Sequence, residues 1–277
     1  MEVKRIPTEL SISVDKPSVF VGDSVVVGVV LDQSINTVAT VNVNGKEYII
    51  GIVNGKGNLT LDDLAFGTYN INATFAGEDK YVGSVSNNTI LEVNKIETQL
   101  SGDAITVVYN ADKYLVISLK DSKGNAIGNV DVTVNLNGAK TLKTDGNGQV
   151  KVSTYHLAPN SYNAKIIFKG NAMYEGSSKD VKVAVNKATP KITAKAKTFK
   201  RSVKTKKYTV SLNVNQKVKV AIKVNKKTYY AYTNTKGVAT FKITKLTKKG
   251  KYTATVSSIT NKCYNKAKSV SVKITVK

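Results

Sequence analysis

Three stretches of this chain carry one skeleton: "LAFGTYNINATFAGEDKYVGS" (residues 64–84), "LAPNSYNAKIIFKGNAMYEGS" (residues 157–177) and "LTKKGKYTATVSSITNKCYNK" (residues 246–266). Each opens on a Leu and reaches a Tyr five or six residues later (Tyr69, Tyr162, Tyr252). A second Tyr follows after twelve more residues (Tyr81, Tyr174, Tyr264). The first Tyr recurs at intervals of 93 and 90 residues. An internal period constrains a fold more than any other sequence feature, because each copy must be one structural unit. An interval of this size leaves room for about seven strands per copy.

The sequence around each skeleton reads as strands. Upstream sit "VATVNVNGKEYII", "VDVTVNLNGAKTL" and "VKVAIKVNKKTYYAY", each a pair of alternating runs. A Gly-marked turn then opens "GKGNLTL", "TDGNGQVKV" or "NTKGVATFKI", and each copy closes on "TILEVNK", "VKVAVNK" or "VSVKITVK". Short alternating runs between Asn/Gly/Asp turns are the pattern of an antiparallel sandwich. The composition agrees: 41% hydrophobic, rich in Thr, Ser, Asn and Val, with only four prolines. That balance favours strands and argues against a disordered linker. We therefore expect an all-β chain of three tandem immunoglobulin-like sandwiches, covering residues 1–95, 96–187 and 188–277. The joints fall in "VNKIET" and "VNKATPK", too short and too poor in glycine for a floppy string, so the row is expected to be elongated and semi-rigid. Tyr69 and Tyr162, which alternate with apolar residues, are expected to line core strands with their hydroxyls bonded to nearby backbone. Stacking on carbohydrate is the alternative for them.

The run "GTYNINATFAGEDKYVGS" resembles the closing motif of bacterial Ig-like repeats of the group-3 type, which end in G-x-Y and then F-x-G-(D/N)-x-x-Y. The second copy follows the motif less closely, and the third replaces its Phe and Gly by Ser258 and Thr260. Such repeats form arrays in bacterial surface proteins and in the adhesin-like proteins of methanogenic archaea, to whose carboxyl-terminal units the Lys-rich third copy is similar. The resemblance implies a sandwich fold and a surface location, and it carries no catalytic residues.

The net charge of +23 is distributed very unevenly. Residues 1–95 hold seven Lys/Arg against eleven Asp/Glu, and residues 96–187 hold eleven against eight. Residues 188–277 hold 24 basic residues, 23 of them lysine, and no acidic one. Solubility needs a net charge of only about 2–8 for a small domain, and self-repulsion at this density opposes the compact state. In "KVKVAIKV" the period of two puts Lys217, Lys219 and Lys223 on one face and Val218, Val220, Ile222 and Val224 on the other. Candidate polyanion- or glycan-binding residues are these three lysines with Lys226 and Lys227, then Lys204, Lys206 and Lys207 in "KRSVKTKK", Lys248 and Lys249 in "TKKGK", and Tyr230. Lysine is a hydrated point charge without the bidentate fork of arginine, so the pattern suits diffuse attraction over base-specific readout.

Chemistry is hard to assemble from this sequence. His156 and Cys263 stand alone in separate copies, which speaks against a nucleophile–base pair and against a zinc site. A single Cys makes no intramolecular disulfide. His156 is expected in a solvated loop and Cys263 as a half-buried filler. Asp62/Asp63 and Glu78/Asp79 lack the spacing of a calcium loop, "TDGNG" reads as a hairpin turn, and the glycines of "GIVNGKGN" do not open a helix to cradle a phosphate. No enzyme activity and no cofactor are expected. Asn58, Asn72 and Asn87 head Asn-x-Ser/Thr sequons and are glycosylation candidates if the chain is exported.

No run of ~18 apolar residues is present to cross a bilayer as a helix, and "MEVKRIPTEL" has no apolar leader. The chain is then either intracellular or a piece of a longer exported protein, and the repeats favour the second. Its expected role is that of an extracellular, cell-surface adhesin-like segment. Two spacer copies would carry a basic third copy that attaches to an anionic cell-wall polymer or glycan, or to a host or neighbouring-cell surface, with no specific nucleic-acid partner. A non-catalytic accessory segment of a larger surface enzyme and a basic nucleic-acid-binding protein are the competing readings.

Overall fold

The computed structural model describes residues 4–277; the first three residues of the expected first domain lie outside the described residues. The described chain is built of 25 strands. The first unit holds β1 (Leu10–Val14), β2 (Ser18–Phe20), β3 (Val25–Leu31), β4 (Thr37–Val43), β5 (Lys46–Ile52), β6 (Lys56–Leu61), β7 (Gly67–Phe75), β8 (Ser84–Val85) and β9 (Thr89–Asn94). The second holds β10 (Thr98–Ser101), β11 (Ile105–Val108), β12 (Tyr114–Asp121), β13 (Asp131–Asn135), β14 (Ala139–Lys143), β15 (Gln149–Ser153), β16 (Asn160–Phe168) and β17 (Ser177–Asn186). The third holds β18 (Ile192–Thr193), β19 (Lys197–Phe199), β20 (Lys206–Leu212), β21 (Lys219–Val224), β22 (Lys227–Tyr232), β23 (Val238–Ile243), β24 (Gly250–Ser258) and β25 (Val270–Val276).

Each unit is a sandwich of the same two sheets. The smaller sheets run β1-β3-β6, β10-β12-β15 and β18-β20-β23. The larger run β2-β9-β7-β4-β5, β11-β17-β16-β13-β14 and β19-β25-β24-β21-β22, with β8 pairing β7 in the first unit. Pairing within the sheets is antiparallel except that β2, β11 and β19 lie parallel to β9, β17 and β25. Three separate apolar clusters fill the three sandwiches. The cause is alternation: in β3, Val25, Val27, Val29 and Leu31 are buried while Val26 and Val30 face out, and burial of each such side chain is worth about 1.5–3 kcal/mol.

The repeated tyrosines have one job each, three times over. The hydroxyls of Tyr69, Tyr162 and Tyr252 donate to the carbonyls of Ala65, Ala158 and Lys248, 2.8–2.9 Å away and four residues upstream. Each half-buried ring thus pins the loop entering β7, β16 or β24; a backbone partner was expected for Tyr69 and Tyr162, and Tyr252 has one as well. The second tyrosines make single parallel bridges to the segments that open each unit: Tyr81 to Ile6, Tyr174 to Ile96, Tyr264 to Ala188.

One glycine recurs because nothing else fits. Gly237 has φ +73, and a Cβ there would collide with the Leu212 carbonyl oxygen. Gly55 and Gly148 occupy the same place against Leu31 and Leu119, whose amides bond back to them as that of Leu212 bonds to Gly237. The "TDGNG" and "NTKG" turns close on this residue, with Oδ1 of Asp145 or Asn234 accepting two backbone amides.

Candidate polyanion-binding face

The β21 stretch folds as its alternation requires. Val218, Val220, Ile222 and Val224 are buried, while Lys217, Lys219 and Lys223 are exposed. Ala221 interrupts the outward row and lies opposite Tyr230 of β22, with Lys219 opposite Tyr232 and Lys223 opposite Thr228. Next to β21 the outward positions of β24 are Thr253, Thr255 and Ser257, and Lys273 of β25 bonds Thr253 through its ammonium at 3.2 Å. This face of the larger sheet presents ammonium groups, hydroxyls and two phenols, and no acidic side chain exists in this third of the sequence to neutralise it.

Strand register gathers the loop lysines at one pole. Lys206 at the start of β20 pairs with Ile243 at the end of β23, and Gly250 at the start of β24 pairs with Val276 near the end of β25. The loops carrying Lys204, Lys245, Lys248 and Lys249 therefore share one end of the sandwich, with Lys277 bonded there to Arg201 and Phe199. The β21–β22 hairpin turns toward this end as well, at Asn225 and Lys226, and both are left-handed (φ 48 and 59). The matching turns of the first two units are Asn44-Gly45 and Asn137-Gly138, the pairing that a tight hairpin favours. Lysine in glycine's place is strained by ~1 kcal/mol or more.

The candidate residues do not all join one surface. Lys217, Lys219, Lys223, Lys226 and Lys227 belong to the larger-sheet face and its hairpin, and Lys204, Lys248 and Lys249 to the pole. Lys207 is exposed on the outer face of the smaller sheet, directly opposite Lys242 of β23. Two like charges opposed across a strand pair repel each other. Lys206 must be removed from the set. It is 1% exposed on the inward row of β20 with Tyr208, Val210 and Leu212, and its ammonium donates to the Val203 carbonyl at 2.7 Å. The charge pattern of "KTKK" hid its inward position, because β20 already begins at Lys206, on the inward row that Tyr208 continues.

The three tyrosines of "TYYAY" divide between the faces. Tyr229 packs on the core and its hydroxyl accepts the Lys245 amide at 3.1 Å. Tyr230 and Tyr232 are each 58% exposed on the Lys219 face, and the Lys219 ammonium lies 4.7 Å from the Tyr230 ring centroid. They border a cleft of about 440 Å³ at the open edge between β22 and β23, whose other wall is Val238, Thr240 and Lys242. Lys242 was not singled out in the sequence; its outward place in the alternation of "VATFKI" was the available signal.

Of the sequons, Asn58 and Asn87 are exposed, whereas Asn72 is half-buried with its amide donating to Asn88 Oδ1 at 2.9 Å. His156 is exposed in a loop at φ +69, against the Tyr155 ring. Cys263 is half-buried. Among the described residues no three His, Cys, Asp or Glu side chains cluster as metal ligands, and no helix is long and apolar enough to cross a membrane.

One feature of the joint between the second and third sandwiches escaped the sequence. Tyr109, just after β11, packs against both core clusters. Burial, with the Cys263 thiol beside it, pushes its phenol up to about 12.

No family model matches the chain, and no curated protein matches it. Among solved structures it is similar to part of a 1.5-MDa bacterial ice-binding adhesin, at 13% identity over 99% of each chain with a TM-score of 0.34. A calcium-stabilized adhesin from an Antarctic bacterium is similar at 15% identity, over 100% of this chain and 75% of that one, with a TM-score of 0.34. The I67–I69 fragment of titin is similar at 12% identity, over 99% of this chain and 100% of that one, with a TM-score of 0.39. Functional conclusions for this chain therefore rest on its own residues.

Proposed function

We propose that the chain is a non-enzymatic segment of an extracellular, adhesin-like surface protein. In this reading the first two sandwiches act as spacers and the third captures an anionic cell-wall polymer or glycan, or an anionic coat on a neighbouring cell. The observation that carries it is the third sandwich itself, whose lysines crowd one sheet face and one pole with no acidic side chain to offset them. The fold accepts like charges in register at Lys207 and Lys242 and a left-handed Lys226, costs that an external polyanion offsets. Capture of this kind makes and breaks no covalent bond and weakens with salt as charges are screened.

Retention of the whole chain on cell-wall material, acidic polysaccharide and duplex DNA across a salt series tests this. A variant with Lys219, Lys223, Lys226 and Lys227 changed to Gln serves as the comparison. Wall or polysaccharide retention that outlasts DNA retention as salt rises, and that the variant loses, is the expected result. Equal retention of variant and parent would overturn it, and DNA held longest would favour the nucleic-acid reading.

A further inference from the structure

We propose that the open edge of the third sandwich is a binding site for a carboxylated polysaccharide, with Tyr230 and Tyr232 stacking on its sugar rings and Lys219 and Lys242 pairing with its carboxylates. The inference rests on the polyanion reading above and gives it a place and a ligand class.

The second sandwich supplies the comparison. There, Asp131 and Lys143 are opposed in register on β13 and β14 and form an ion pair at 3.2 Å. The corresponding positions of the third sandwich are Lys219 and Tyr232, also opposed in register. The carboxylate has become an ammonium and its partner a phenol. Among the described residues Lys219 pairs with no carboxylate, and it lies over the Tyr230 ring instead. A uronic-acid carboxylate would give Lys219 the opposite charge that Asp131 gives Lys143 in the second sandwich, while its ring covers a phenol.

The tyrosines divide in the same sense. Six lie in this sandwich, and Tyr208, Tyr229, Tyr252 and Tyr264 each commit their hydroxyl to a protein partner. Among the described residues, Tyr230 and Tyr232 are exposed without any such bond. At their register the first two sandwiches carry Ile49 and Gly51, and Thr141 and Lys143. The aromatic pair is thus peculiar to the one sandwich that lacks acids. Two residues apart on a strand, Tyr230 and Tyr232 have their Cα atoms about 6.6 Å apart, a spacing on the scale of neighbouring pyranoses. Ala221 opposite Tyr230 leaves that ring's flank open, and Thr240 with Lys242 provides a hydrogen-bonding far wall.

A sugar polymer fits better than a single-stranded nucleic acid, whose bases also stack on aromatics. The residues around the rings are lysines and hydroxyls, without the guanidinium forks suited to phosphate. Hydroxyl-lined faces offer both donors and acceptors to a polyhydroxylated chain.

The test measures binding of the whole chain to polygalacturonate, dextran sulfate, neutral dextran and single-stranded DNA at low salt. It compares the parent with Tyr230→Ala/Tyr232→Ala and with Tyr230→Phe/Tyr232→Phe. Expected is a loss of about tenfold for polygalacturonate in the alanine pair, as two stacking contacts would give. Phenylalanine should restore most of it, and dextran sulfate binding should not change. Polygalacturonate binding that the alanine pair leaves intact would overturn the site while leaving electrostatic capture standing. A loss shared equally by single-stranded DNA would overturn the ligand class. Failure of the parent to hold any of the polyanions would instead remove the reading on which the site rests.

Discussion

Tyr109 of the second sandwich meets Tyr264 of the third edge to face, with ring centroids 5.5 Å apart and planes at 86°. Tyr264 is 3% exposed and its hydroxyl donates to Asn215 Oδ1 at 3.2 Å. The Tyr109 amide bonds Asn186, as that of Val21 bonds Asn94 in the first sandwich. Val21 packs against the first core, whereas Tyr109 reaches two cores.

Tyr109→Ala should loosen the second joint. An edge-to-face aromatic pair is worth about 0.5–1.5 kcal/mol beyond the area it buries. Small-angle scattering should show a broader range of end-to-end distances in the variant, with unchanged circular dichroism. Val21→Ala is the control and should leave the second joint as it is. An unchanged distance distribution in Tyr109→Ala would show that the tyrosine pair does not hold the two sandwiches.

Alkali should weaken the same region. The Tyr109 phenol is raised to about 12, and burial also raises Tyr208 and Tyr264 from the ordinary value of 10.0. Below that ordinary value the phenols are neutral in both folded and unfolded chains and cost nothing. Above it the unfolded chain ionises first, so stability is lost as pH rises toward the folded-state values. Deprotonation of the lysines relieves repulsion over the same range and acts in the opposite sense. The comparison with Tyr109→Phe isolates the phenol: the variant should lose less stability than the parent between pH ~10 and ~12. Denaturant titrations at stepped pH check this, and parallel curves would refute it.

Tyr252→Phe removes one hydroxyl and leaves the Lys248 carbonyl without its donor. We expect the third sandwich to lose about 1 kcal/mol, the net worth of one such hydrogen bond. The same change at Tyr162 should cost the second sandwich a similar amount through Ala158. Urea unfolding followed by tyrosine fluorescence measures both.

Lys226→Gly should stabilise the third sandwich by about 1 kcal/mol, because the left-handed backbone at φ 59 is free of strain only for glycine. Retention on polyanions should fall in the same variant. A more stable protein that binds less tightly is the signature of a residue kept for contact at the expense of the fold. A variant that gains no stability would place the turn's preference elsewhere.

Much of the architecture was legible in the chain. The 93- and 90-residue intervals marked three units, and the period of two placed Val220 inside and Lys219 outside. The alternation of Tyr69 and Tyr162 with apolar residues announced hydroxyls with backbone partners. These features are local or repeated, and local geometry fixes them: side chains on a strand alternate whatever the strand packs against. Lys206 shows the limit. Its neighbours in sequence, Lys204 and Lys207, are exposed, and only the start of β20 and its pairing with Ile243 turn it inward.

Relationships between distant strands were decided by tertiary structure alone. Sequence composition determined that the third copy is basic, and alternation determined which lysines face out. It took register to set Lys219 beside Tyr232 where the second sandwich has an ion pair. Packing of two sandwiches end to end brought Tyr109 to Tyr264, 155 residues apart in the chain. The physical reason is the same in both cases. A strand's own pattern specifies its two faces, but which residues become neighbours across a sheet or a joint depends on pairings and contacts that no single stretch encodes.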